Sequence, residues 1–393
     1  MNERRPAGEQ SPPDEMDRTD LAGTRLPVAG SIWLRHLWIH DFRNYTAAEL
    51  HLPRGLTVVR GTNGEGKTSL LEAIGFLATL ASFRGVPGEA LVRDGCTQAV
   101  VRGEGERAGR QLLIEAEVTP GGRGRVAVNK QRLRRTADLL DALRVSVFSP
   151  DDLELVKGGP SARRRYLDDT LVALHPRHDT LRRDLERILR QRTALLRQSG
   201  GRLTSDIATT LDVWDAKLVI AGEGLADARA DLVAKLEPAL AKAYADLAPE
   251  RGLVSAAYDA PWRPEGLAAA LAAARAEELR RGVCLVGPHR DDLGLRVNAL
   301  PARTHASQGE QRSLALALRL AAHRLVAEAL DEVPLLLLDD VFSELDPGRG
   351  EALLTHLPPG QAVLTTAGPV PHGATPEHIV IVTGGRLAVE EAA

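Results

Sequence analysis

The sequence predicts an α/β fold: a P-loop ATPase head split by an inserted, mainly helical domain. Three observations carry this. A glycine-rich loop joins a short β-branched strand to a helix near residue 60. An apolar run ends in paired aspartates at Asp339-Asp340. Between them lies a long stretch of helical periodicity. A chain of 393 residues has room for two or three domains and one sizeable core.

Residues 1–30 mix charge, Pro and Gly with no apolar core segment, so they read as a disordered tail and not as a signal peptide. Strand-like runs follow at Ser31–Ile39, Leu112–Val118 and Arg125–Val128. Within this part, Thr57–Val59 is a β-branched strand, Gly61-Thr-Asn63-Gly64-Glu-Gly66-Lys67-Thr68 fits GxxxxGK[ST], and Ser69–Leu80 has helical periodicity. The strand–loop–helix context gives the motif its meaning. Glycines let backbone N–H groups wrap phosphates, and the helix N-terminus adds its positive dipole end. Lys67 is expected to reach the β/γ-phosphates of ATP, and Thr68 to ligate Mg²⁺.

Residues 161–174, 178–198 and 204–247 read as long helices, with Gly200-Gly201 breaking the second from the third. Val333–Leu338 is an apolar strand of the kind buried at the centre of a parallel sheet. Asp339 is expected to hold Mg²⁺, and Asp340 to orient or deprotonate the attacking water. Thr68 and Asp339 are 271 residues apart, whereas a compact domain spans about 150. The expected organisation is therefore a tail at 1–30, an N-terminal part of the head at 31–150, a helical insertion at 151–281 and a C-terminal part of the head at 282–393.

Composition narrows the function classes. No apolar run is long enough to span a membrane. Cys96 and Cys284 are the two cysteines, with no zinc-type spacing, which fits a reducing cytoplasm. At a net charge of −3, any nucleic-acid surface must be a local patch. One such patch is Arg123, Arg125, Lys130, Arg132, Arg134, Arg135 and Arg144, set against Asp138 and Asp141. A second is the helix at 181–197, with six arginines against two acids. Only 3% of residues are aromatic, so the expected DNA contact is with the phosphate backbone and not by base stacking.

The stretch THASQGEQRSLALALRLAAHRL (304–325) sets a polar turn before a long helix, and SELD (343–346) follows the paired aspartates. Ser307-x-x-Glu310 reads as a capping box. The order of turn, helix and Asp-ended strand also resembles that of ABC-type ATPases. That resemblance implies a head-to-tail homodimer in which Ser307, Gln308 and Gly309 meet the ATP held by the other copy, with Asp346 in the D-loop lining the same interface.

Further motifs, in order, are HLWIHDFRNYTAAEL, SFRG, VFSPDDLELVKGGPSARRRYLDD and LVGPHRDDL. From about Ser31 to the C-terminus the whole set resembles the RecF family, SMC-like ATPases without a long coiled coil. The resemblance implies ATP-dependent dimerisation, binding to gapped or junction DNA, slow ATP hydrolysis, and work with RecR toward RecA loading against single-strand-binding protein. It places Arg43 and Asn44 near the nucleotide, beside Gly61, Asn63, Gly64, Gly66, Lys67, Thr68 and Ser69.

Three departures from the wider ABC pattern stand out. Asp340 occupies the place of a Glu, VFSPDDLELV has no Gln, and QAVLTTAG is followed by no immediate His, since His372 comes later. An ATP-binding subunit of a transporter and a non-hydrolysing ATP-gated clamp are the competing readings. His289-Arg290-Asp291 is no kinase motif, because the residue five after the Asp is Arg296 and not Asn.

Overall fold

The computed structural model describes residues 32–121, 124–133, 136–248 and 252–391. The tail at 1–30 lies outside them. In chain order the strands are β1 (Ile32–Phe42), β2 (Tyr45–His51), β3 (Leu56–Arg60), β4 (Ala99–Arg107), β5 (Arg110–Val118), β6 (Arg125–Val128), β7 (Gln131–Arg132) and β8 (Val145–Phe148). There follow β9 (Val254–Asp259), β10 (Asp292–Val297), β11 (Leu300–Pro301), β12 (Leu335–Leu338), β13 (Ala362–Thr366), β14 (His378–Thr383) and β15 (Arg386–Glu391). The helices are α1 (Lys67–Thr79), α2 (Glu154–Lys157), α3 (Pro160–Leu174), α4 (His178–Gln198), α5 (Ser205–Leu247), α6 (Leu267–Arg281), α7 (Ala302–His305), α8 (Gln308–Leu330) and α9 (Pro347–Thr355).

Two six-stranded sheets and one small sheet organise the chain. The first, in the order β2-β1-β4-β5-β6-β7, is antiparallel. Strand β1 buries Ile32 and Leu34, then Leu37, Ile39 and Phe42. The first change of parity, from Leu34 to Leu37, falls at an irregularity between Leu34 and His36, where one extra residue keeps the apolar set on the inner face.

The second sheet runs β15-β14-β3-β13-β12-β8, with five parallel strands and β15 antiparallel at the edge. Pro334 offers no N–H, and β12 begins only at Leu335, two residues later than the expected start. Its four leucines are all buried. Their alternation serves two cores: Leu336 and Leu338 join the cluster that includes α3, α5 and α8, while Leu335 and Leu337 face the cluster that includes α1 and β1. Gln361 links the two large sheets. Its side chain accepts from Leu34 N at 2.9 Å and donates to Leu34 O at 2.8 Å and Pro53 O at 2.7 Å.

In sequence, α3 to α6 fall between β8 and β12, which are paired neighbours in the second sheet. Helix α5, of 43 residues, would extend about 65 Å. Thr204 caps it, accepting from Ile207 N. Residues 151–281 are not wholly helical: β9 pairs with β10, on the far side of position 281, in the sheet β11-β10-β9. The GPHRDD turn leads into β10. There Asp292 accepts two bonds from Arg163 at 2.7 and 2.8 Å, and buried Asp291 accepts from Trp262 Nε1 at 2.8 Å and from the Tyr258 hydroxyl. Among the described residues no helix is long and apolar enough to cross a membrane.

Candidate nucleotide site and DNA surface

The glycine-rich loop closes on the N-terminus of α1 because its glycines allow what side chains forbid. Gly66 has φ of 118°, and a Cβ there would meet the Asn44 side chain at 2.5 Å. A Cβ on Gly61 would lie 2.5 Å from the carbonyl oxygen of Val382. Asn63 and Gly64 are exposed at the loop tip, and Ser69 is half-buried in the first turn of α1. The Lys67 ammonium is buried, donating to Gly61 O at 2.7 Å and Thr62 O at 2.9 Å.

At the carboxyl end of β12, Asp339 is 5% exposed. It accepts from Thr68 Oγ1 at 2.9 Å and from Thr365 Oγ1 at 2.8 Å. Burial pushes its carboxyl above the usual range, and the two hydroxyl bonds pull the other way. A hydroxyl and a carboxylate meeting beside a phosphate-cradling loop form a hard oxygen donor set, which fits Mg²⁺. Asp340 adopts left-handed backbone with φ of 47°, and its N–H donates to Thr365 Oγ1 at 2.9 Å. Its Oδ1 is buried with no hydrogen-bond partner among the described residues. The residue borders a crevice lined also by Ser149, Asp152, Arg312 and Leu345. Thr365 contacts both aspartates, and nothing in the sequence around it marks this role. His372 is exposed on the following segment.

The hairpin turn before β2 supports the loop unevenly. Asn44 Nδ2 donates to Glu65 O at 2.8 Å, and Tyr45 OH to Gly66 O at 3.0 Å. Arg43 instead engages the buried Glu72 of α1 through two bonds of 2.6 and 2.8 Å, and Ala90 O at 2.7 Å. Its guanidinium is held by protein acceptors, whereas Asn44 touches the loop directly.

The signature turn is a capping box. Ser307 Oγ donates to Glu310 Oε2 at 2.7 Å and accepts from Glu310 N at 3.3 Å. Ser307 and Gln308 are exposed at the start of α8. Gly309 lies under Arg349, whose Nη1 would stand 2.6 Å from a Cβ at 309. Arg349 in turn belongs to the start of α9, where Asp346 accepts from Arg349 N at 3.1 Å and faces its Nε at 3.3 Å. Signature turn and D-loop are thus neighbours through Arg349. Only the Asp346-x-x-Arg349 spacing hinted at this residue.

Of the first basic patch, Arg125, Lys130 and Arg132 are exposed on β6, its turn and β7, at the end of the first sheet. Arg123, Arg134 and Arg135 lie outside the described residues. Arg144 does not belong to this surface: it is 5% exposed and pairs with Glu332 at 3.2 Å. The second patch is largely neutralised. Arg182 and Arg183 both pair with Asp179, Arg187 pairs with Asp184, and Arg192 is fully buried. Arg183, Arg187 and Arg190 stay exposed, each beside an acid one turn away on the same helix.

Comparison with known proteins accords with this geometry. The family model described as "RecF/RecN/SMC N terminal domain" matches residues 33–361. A "DNA replication and repair protein RecF" of Kineococcus radiotolerans is 46% identical, over 89% of this chain and 97% of its own length. One of the same name from Streptomyces avermitilis is 45% identical, over 84% and 92%. The solved structure of "the recombination mediator protein RecF-ATP in RecFOR pathway" superposes with a TM-score of 0.84 at 27% identity, covering 93% of this chain and 99% of that one.

Proposed function

Since the chain belongs to the RecF family of ABC-type ATPases, we propose that it is an ATP-dependent recombination mediator that closes as a homodimer on gapped or junction DNA. Its relatives carry the name of DNA replication and repair proteins, and a structural neighbour is described as RecF-ATP of the RecFOR pathway. The reading extends to RecR as a partner, to loading of RecA where single-strand-binding protein sits, to slow turnover of ATP and to a cytoplasmic setting.

One observation carries the dimeric part. Lys67, Thr68, Asp339 and Thr365 assemble in a single chain, while the Ser307 turn stands exposed with its hydroxyl bonds turned into its own helix. Half of the expected phosphate contacts are therefore offered outward, as a helix N-terminus open to an anion. In the closed pair, the Gly61–Gly66 amides and the Lys67 ammonium hold the phosphates, and the Ser307–Gly309 turn of the second copy covers the terminal one. Mg²⁺ held through Thr68 and Asp339 would offset phosphate charge. Asp340 orients the attacking water and takes its proton. Arg125, Lys130 and Arg132 supply backbone contacts to DNA, with no sequence preference.

Size-exclusion chromatography with light scattering, with and without ATP and gapped DNA, tests this reading. Lys67→Met should neither bind ATP nor dimerise. Ser307→Arg should bind ATP with near-normal affinity and stay monomeric. Dimerisation of Ser307→Arg on ATP would refute the shared site.

A further inference from the structure

On the outer face of the first sheet, His36 of β1 stands directly opposite His51 of β2, with Glu49 one same-face position along. Antiparallel pairing brings such side chains within reach of one another: directly opposed Cβ atoms lie about 5 Å apart, and diagonal ones a little farther. The His36 and His51 rings have centroids 3.7 Å apart. One ligand atom from each of the three residues lies within 4.8 Å of the others. We propose that His36, His51 and Glu49 bind a borderline divalent cation of the zinc class.

Three features favour a cation over a self-contained polar cluster. Glu49 Oε1 lies 2.7 Å from His36 Nε2 and 4.0 Å from His51 Nε2, so one carboxylate oxygen faces both imidazoles. Second, His36 is held in place from behind: it stacks on Trp38 at 3.6 Å. The remaining two ligands have room to adjust, the side chains of Glu49 and His51 being 59% and 69% exposed. Tetrahedral zinc with ligand bonds near 2.0–2.1 Å needs donors about 3.3 Å apart, a small movement from the spacing present. Third, neighbouring charge does not oppose a cation as strongly as its arginines suggest. Arg35 is paired with Glu104 at 2.6 Å, and Glu104 sits across from His36 on β4. Arg102 lies over Trp38 at 4.8 Å from the ring centre.

Two imidazoles and one carboxylate select Zn²⁺, Ni²⁺ or Cu²⁺ over Mg²⁺, which prefers oxygen ligands and its own water. The site is therefore distinct in chemistry from the Thr68–Asp339 pair. With three protein ligands it leaves a coordination position open. It also bridges β1 and β2 at the end of the hairpin away from the Arg43-Asn44 turn, so a bound cation clamps the strands that carry Asn44 to the glycine-rich loop.

The test uses the full chain, stripped with EDTA and titrated with Zn²⁺ against a chromophoric chelator in excess Mg²⁺. Wild type should take up one equivalent, and Co²⁺ in its place should give visible ligand-field bands. His36→Gln/His51→Gln should lose that equivalent. Glu49→Gln, a change at an exposed position that leaves the fold intact, should weaken binding about tenfold or more. Cys96→Ser/Cys284→Ser should bind as wild type does. The proposal is overturned if wild type binds no Zn²⁺, if Glu49→Gln and the histidine variant bind it unchanged, or if the cysteine variant loses it.

Discussion

Thr68 donates a hydrogen bond of 2.9 Å to Asp339, 271 positions later in the chain. This one bond ties the first turn of α1 to the end of β12, and both atoms face the expected metal position. Thr68→Val keeps the shape and removes the hydroxyl. The gain in nucleotide affinity on adding Mg²⁺ should fall about tenfold or more, since bonds to charged groups are worth about 1.5–3 kcal/mol. Affinity in EDTA should stay near wild type. Titration with a fluorescent ATP analogue under both conditions measures the difference, and an equal loss with and without Mg²⁺ would argue for a merely structural hydroxyl.

In the proposed mechanism Asp340 acts in turnover and not in binding. Its Oδ1 is buried with no hydrogen-bond partner among the described residues, while its backbone N–H is fixed by Thr365. Asp340→Asn should retain ATP-induced dimerisation and lose phosphate release by about a hundredfold or more, the usual range for removing a general base. Phosphate release followed alongside light scattering reads both. Unchanged release would favour a non-hydrolytic use of the carboxylate.

Arg192 of α4 is fully buried and bonds Asp215 and Glu278 at 2.6 Å each. Glu278 is equally buried. Arg192→Met strands that carboxylate and should destabilise the fold by about 3–5 kcal/mol. Adding Glu278→Gln should recover part of the loss. Urea denaturation of the single and double variants decides it; a single variant as stable as wild type would mean that the pair contributes nothing net.

Acid should weaken the chain through two histidines, buried His323 and half-buried His289. Burial holds His323 down at about 4, with Arg324 adding to the effect, and burial holds His289 at about 4 as well. Both folded values lie below the ordinary 6.5. The unfolded chain therefore takes up protons that the folded chain refuses as pH falls from about 6.5 to 4. Stability from this source is complete above about 6.5 and lost on the way down, at up to roughly 1.4 kcal/mol per pH unit for each histidine. His323→Gln should flatten that slope in urea melts at pH 7.5, 6 and 5. An identical slope would assign the acid limb to other groups.

How much of this was legible depended on range. Helix α4 occupies the span its pattern marks, residues 178–198, and Thr204 caps α5 where the sequence turns helical. The glycine-rich loop was legible because its chemistry is written in consecutive residues. Arg144 and Arg192 were misread as surface charge because the acids that bury them, Glu332 and Glu278, come 188 and 86 residues later. Strand β9 was missed because VSAAYD alternates only weakly and gains its strand character from β10. Thr365 and Arg349 carry no motif of their own, and only the fold puts them beside residues that do.

The four leucines of β12 have a mechanical consequence. Alternate side chains belong to different cores, so the strand can leave its place only if both open at once. Amide exchange at Leu335–Leu338 should therefore follow unfolding of the whole chain, slower than exchange in either lobe alone. Asp339 and Asp340 hang from the end of that strand, so slow exchange there would mean that the two carboxylates are carried by backbone that opens only with the whole fold.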